Sequence, residues 1–165
     1  MGITKKVETA PEFKSAVVDR DYEEYKKNPT CLRLAYHLAL GLLHLRDWTF
    51  EEHSGSDRWP YKFKEERKYQ EFLAGECKYF GFMRDLANAV KHMKLKKWRS
   101  TKMEKLADTE LMGPAFQPSA FQGNAFQTHT MIVSEIAPGK FVQFEPAADA
   151  VMAMWNDLFS KNGWN

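Results

Sequence analysis

Two cysteines, Cys31 and Cys77, are all that this chain of 165 residues contains, and they stand far apart in otherwise helical patterns. That excludes a disulfide framework and a paired-cysteine zinc motif, and it fits a reducing compartment. Long apolar runs are scarce as well. The longest, LAYHLALGLLHL, carries two histidines and is too short to span a bilayer, so no membrane association is expected. The N-terminal MGITKKVETAPEF has lysines but no apolar centre, so it does not read as a signal peptide and a cytoplasmic location is the expectation. A phosphate-cradling Gly loop, G-x-S-x-G and C-x-x-C are all missing. So are H-x-x-x-H and E-x-x-H, which would supply two ligands from adjacent helical turns; neither a metal nor another cofactor is expected.

What is present describes one ordinary domain, with 44% hydrophobic and 28% charged residues. Net charge is only +2 but unevenly placed. Residues 1–90 hold 15 basic and 15 acidic side chains, and residues 106–165 are net −4. Between them KHMKLKKWRSTKMEK, residues 91–105, sets seven Lys or Arg against Glu104 alone. Lys94, Lys96, Lys97 and Arg99 around Trp98 are candidate contacts to a nucleic-acid backbone or other anion. The same lysines also suit the solvated end of a helix, where cations complement the dipole.

Periodicity gives a mainly α fold: a bundle of about five helices, with a β-hairpin inserted before the C-terminal helix. The chain reads as a single domain, 1–165, with an N-terminal tail over 1–8. A first helix opens at Thr9, with Glu12 completing a capping-box pattern and Pro11 in the first turn. Phe13, Val17, Val18, Tyr22 and Tyr25 form its apolar face. Asn28 is the expected N-cap of a second helix running from Pro29 to about Glu51. Leucines spread nearly around that helix mark it as central. A third, more exposed helix follows in YKFKEERKYQEFLAGECK. A fourth lies in CKYFGFMRDLANAVKHMKL, with Phe82, Met83, Leu86, Ala89, Val90 and Met93 on one face. Residues 96–114 lack a period and suggest irregular chain or a short strand. Residues 129–145 read as a hairpin around Ala137-Pro138-Gly139-Lys140. Pro146 opens the last helix, carrying Val151, Met154, Trp155, Leu158 and Phe159 inward, and Asn162-Gly163 closes it.

Two polar constellations stand out against this frame. On the second helix His37 and His44 project within about 20° of each other. Arg33 and Trp48 extend their stripe, Gly41 leaves room between them, and Asp47 could orient a ring. On the fourth helix Arg84, Asp85, Asn88, Lys91 and His92 share about a third of the circumference at 100° per residue. An amphipathic helix has such a face too. Asp and Asn, however, are poor mid-helix choices without a side-chain partner. If the two faces met, His37, His44, Asp47, Asp85 and Lys91 would line a polar groove around Arg84, Asn88 and His92.

The D-x-x-N-x-x-K-H pattern of Asp85, Asn88, Lys91 and His92 resembles one in small uncharacterised bacterial and phage proteins. HLRDW (His44 to Trp48), short Phe repeats, a hairpin and a Trp-bearing last helix accompany it, over about residues 20–160. More distantly the arrangement is similar to the HEPN domains of toxin and antiviral defence systems. Those are helical bundles that dimerise and cleave RNA without metal, through an Arg and a His on one helix. That family separates the pair by four to six residues, against seven between Arg84 and His92 here. The resemblance implies catalysis by Arg84, Asn88 and His92, with His92 as general acid/base and Arg84 stabilising charge on phosphate. It also implies RNA along the lysines that follow.

AFQPSAFQGNAFQ, within the connector 113–128, repeats Ala-Phe-Gln every five residues. A five-residue step suits neither helix nor strand, so Phe116, Phe121 and Phe126 read as spaced anchors on an extended connector. Turned inward they strap the bundle; turned outward they offer an apolar surface to a protein partner. Two functional expectations follow. One is a HEPN-like RNA-directed module, with metal-independent ribonuclease activity as its catalytic form. The other is a non-catalytic interaction or regulatory protein, with a structural polar network, an AFQ docking segment, and a protein partner or a second copy of itself.

Overall fold

The computed structural model describes residues 6–55, 63–92, 100–113 and 130–164. Five helices and a three-stranded antiparallel sheet lie among them, with a hairpin ahead of the last helix as the sequence pattern requires. The first helix is continuous over three pieces: α1 (Ala10–Phe13), a π-helical turn (Lys14–Val18) and α2 (Asp19–Lys27). Thr9 caps it, its hydroxyl accepting from the Glu12 N–H at 3.3 Å. The Glu12 carboxylate reaches back one residue further than in a standard capping box, to the Glu8 N–H at 3.0 Å.

The second helix, α3 (Leu32–His53), begins three residues later than Asn28-Pro29 suggests. A turn closes first, with the Cys31 N–H donating to the Asn28 carbonyl at 3.1 Å, while the Asn28 side chain accepts from the Thr30 hydroxyl. Leu34, Leu38, Leu42, Leu43 and Leu45 are buried, and Leu32 and Leu40 pack against the same core. The near-circular spread of leucines therefore does mark a central element: α3 touches α1, α2, α4 (Glu66–Glu76), α5 (Phe80–Lys91) and α6 (Phe144–Asn162). Burying each such leucine contributes roughly 1.5–3 kcal/mol. Phe80, Met83 and Leu86 of α5, and Val151, Trp155 and Leu158 of α6, complete the core. None of these helices is long and apolar enough to cross a membrane.

The aperiodic stretch before the connector contains a 3-10 turn (Leu106–Asp108) and strand β1 (Thr109–Met112). β1 pairs with β2 (Met131–Ala137), which pairs with β3 (Lys140–Gln143). Pro138-Gly139 makes the hairpin turn, where Gly139 at φ +71° takes a conformation other residues resist. Ile136 is an extra residue on β2 between the Glu135–Phe141 and Ala137–Lys140 pairs, a β-bulge. α6 then starts at Phe144, two residues ahead of Pro146, and stops at Gly163 (φ +64°).

Candidate functional site

α5 is buried along most of its length, including on the side of its acidic residue. Asp85 is 1% exposed, against the amphipathic surface that its helical angle suggests. Ser100 and Thr101 cover it, at the start of a strap of residues 100–103 whose Ser100 lies over the first half of α5, against Gly81 and Asp85. One carboxylate oxygen of Asp85 accepts from the Ser100 N–H at 2.7 Å, the Thr101 N–H at 2.7 Å and the Thr101 hydroxyl at 2.9 Å. The other accepts from the Arg84 guanidinium, through Nε at 3.1 Å and Nη2 at 2.8 Å. Arg84 Nη2 also donates to the Ser100 hydroxyl at 2.9 Å. A buried carboxylate is costly unless paired and hydrogen-bonded, and this one has both.

The strap continues in the same manner. The Lys102 N–H donates to the carbonyl of Ile136 at 2.7 Å, at the β2 bulge, and Met103 is fully buried. Residues 100–103 therefore join the helical bundle to the sheet, one anchor per residue. Gly81 makes the approach feasible: a Cβ there would lie 2.5 Å from the Ser100 Cβ. A side chain at this position would collide with that of Ser100, so the missing Cβ of glycine is what lets the strap lie this close.

The two ends of the basic run lie on α5 and on the strap with the chain that follows it. Asp85 lies six residues before Lys91, about 9 Å along the helix. Lys91 and His92, at the end of α5, are exposed, and so are Lys102 and Lys105 on the returning chain. His92 is the C-cap residue of α5. Asn88 is half-buried on the preceding turn. Lys94, Lys96, Lys97 and Arg99 fall outside the described residues, as do Phe116, Phe121 and Phe126.

The His37/His44 stripe faces elsewhere. Gly41, between the histidines, looks onto Val18 and Asp21 of the first helix, with 3.6 and 3.7 Å left for an added Cβ. Trp48 stacks on Phe13 at 4.9 Å between ring centroids. His37 is exposed, and it and Arg33 counteract the upward shift that burial imposes on the Asp21 carboxyl. His44 is half-buried. Asp47 is engaged by its neighbour Arg46 at 2.8 Å rather than by a histidine ring, and Arg46 runs on to Gln70 at 2.6 Å and Glu66 at 2.8 Å. Instead of lining one groove, the two constellations meet different neighbours, α1 and α2 in one case and the strap in the other. Helical angles rank residues around an axis and carry no information about what packs on each side.

Three residues that sequence reasoning left out belong to this site: Gly81, Ser100 and Thr101. Gly81 had a legible signal, a glycine between two phenylalanines on the apolar face of a helix. Among the described residues, no three of His, Cys, Asp and Glu gather as metal ligands. Arg84 and Asp85 form a structural ion pair, and among the described residues Lys91, His92, Lys102, Glu104 and Lys105 are exposed. Comparison with protein-family models, with curated proteins and with solved structures finds no match for this chain.

Proposed function

We propose that the chain is an RNA-directed module that holds the phosphate backbone with the basic surface at the end of α5. The observation that carries this reading is the strap. It lays the chain that carries exposed Lys102 along the helix whose C-terminal end carries exposed Lys91 and His92, so that both flanks of the basic run are tied to α5. Seven Lys or Arg within residues 91–105, with a single Glu, supply a backbone-binding charge density in a domain that is otherwise neutral to acidic. In sequence Trp98 stands among these cations, and an aromatic interleaved with basic residues is a composition suited to stacking on single-stranded bases.

The commitment of Arg84 to Asp85 and Ser100 favours binding over cleavage, because a guanidinium 11% exposed in its side chain is spent within the fold. Catalysis through Arg84 and His92 would first require that pair to open. Total RNA incubated in EDTA with the protein and with its His92→Ala variant separates the two forms. The module reading expects RNA retained by both proteins and cut by neither. Cleavage by the wild type that vanishes in His92→Ala would establish a ribonuclease instead. Absence of any RNA retention at low salt would refute both.

A further inference from the structure

The end of α2, the start of α6 and the start of β2 line a cavity of about 250 Å3 that RNA binding at α5 does not use. It lies at the opposite end of β2 from the Ile136 bulge, where the strap is anchored. Pro29, Met131, Ile132 and Pro146 give it an apolar lining, and Tyr25, Glu145 and Asp149 bring polar groups to it. Lys26 reaches both carboxylates, Glu145 at 2.5 Å and Asp149 at 3.2 Å, and Asp149 also accepts from the Tyr22 hydroxyl at 2.8 Å. Among the described residues, one cation thus serves two carboxylates, and one negative charge is left over. Tyr25 adds an unspent polar group. It is 1% exposed, and among the described residues its hydroxyl has no hydrogen-bond partner. A phenylalanine would fill the same core position, edge-on to Phe144, without the cost of burying that hydroxyl. Burial raises the phenol pKa, and the Glu145 and Asp149 charges raise it further, so the group stays protonated. The carboxylates that act on the phenol are those that line the cavity, which places the hydroxyl on the cavity side of the ring.

We infer that this cavity is a binding site for a small primary amine, an ammonium group carried on a compact apolar body. A primary ammonium has three N–H donors and no acceptor. Glu145, Asp149 and the Tyr25 phenol oxygen offer it acceptors, and its charge balances the carboxylate left over by Lys26. The apolar lining takes up the body of the ligand. At about 250 Å3 the cavity falls just below the range of roughly 300–1,000 Å3 that holds drug-sized ligands, which limits that body to about one ring. An anion would be repelled by the excess carboxylate, and a neutral alcohol would leave its charge standing. Lys26 has two opposed effects here: it holds the carboxylates in place, and it competes with the ligand for them. The site is independent of RNA binding at α5.

The test is an amide NMR titration of the full-length chain with benzylamine, with benzyl alcohol and benzoate as neutral and anionic counterparts of similar shape. A ligand of this size is expected to bind with a Kd on the order of 1 mM. Saturable shifts should concentrate at Tyr25, Ile132 and Asp149, with benzyl alcohol about tenfold weaker and benzoate inert. Glu145→Gln and Asp149→Asn should each weaken benzylamine about tenfold. Tyr25→Phe should weaken it about two- to tenfold while Tm stays unchanged or rises, because no hydrogen bond within the fold is lost. Lys26→Gln removes the competing cation and should tighten benzylamine about threefold or more. Should Asp149→Asn fail to fold by circular dichroism, Glu145→Gln and Lys26→Gln, at partly exposed positions, carry the same decision. No saturable shift at these amides by about tenfold higher concentration overturns the inference. So does benzyl alcohol binding as tightly as the amine, or a Lys26→Gln variant that gains nothing. A Tyr25→Phe variant with lowered Tm would show the hydroxyl already bonded within the fold, and also overturns it.

Discussion

Replacing Gly81 by alanine tests the strap without touching a charge. In an exposed helix, Gly→Ala raises stability by roughly 0.5–1 kcal/mol, because alanine loses less backbone freedom on folding. At Gly81 the added methyl would stand 2.5 Å from the Ser100 Cβ and 2.6 Å from its hydroxyl. Ser100 cannot swing away freely, since its N–H is held by Asp85 at 2.7 Å and its hydroxyl by Arg84 at 2.9 Å. Overpacking of this kind costs about 1–3 kcal/mol, so after the helical gain Gly81→Ala is expected to lose up to about 2.5 kcal/mol. For a chain of this size that lowers Tm by up to about 10 °C. Gly75, in the last turn of α4, is the internal reference, because an added Cβ there meets nothing within 4 Å. Gly75→Ala should gain stability where Gly81→Ala loses it, by urea titration or thermal denaturation. Adding Ser100→Gly to Gly81→Ala should recover part of the loss, a positive coupling energy in a double-mutant cycle. A stabilised Gly81→Ala, or a cycle with no coupling, would refute the close approach of strap and helix.

Two further expectations concern the rest of the fold. His53 stacks on Trp164 at 4.3 Å, and burial lowers its pKa, with the Glu52 carboxylate opposing in part. The unfolded chain, with an ordinary value near 6.5, therefore takes up the proton first. The contribution of His53 is complete above about pH 6.5 and is lost as pH falls toward its lower folded value. Stability of the wild type should decline over that window, and His53→Phe, which keeps the ring, should flatten the decline; an unchanged pH profile in the variant would count against the assignment. Tyr69 is buried, and its hydroxyl meets Thr49 at 3.0 Å while Thr49 also bonds the Leu45 carbonyl. Tyr69→Phe should cost about 1 kcal/mol in denaturant titration, since Thr49 keeps a partner. A loss above about 3 kcal/mol would instead indicate that the hydroxyl organises more than this pair.

The helices were largely legible because their evidence is local. The faces of Val151, Met154, Trp155, Leu158 and Phe159, the Thr9 cap and the Gly163 stop each need only neighbours a few residues away, and all five of those α6 side chains are buried. Asp85 shows where such reasoning ends. Its position mid-helix correctly signalled an unseen partner, but that partner is aperiodic chain fifteen residues on, and no spacing rule points to Ser100 and Thr101. The π-helical turn over Lys14–Val18 and the bulge at Ile136 escaped notice for a related reason. Each shifts the register by a single residue, which packing sets and composition does not mark.

The claim that a basic surface at the end of α5 binds the RNA backbone is tested most directly by the salt dependence of affinity for a short single-stranded RNA. The account predicts that log K falls linearly with log salt concentration, by about 0.7 for each phosphate engaged. In Lys96→Gln/Lys97→Gln the slope should shrink by about 1.4. A slope near zero, or one that this variant leaves unchanged, would contradict it.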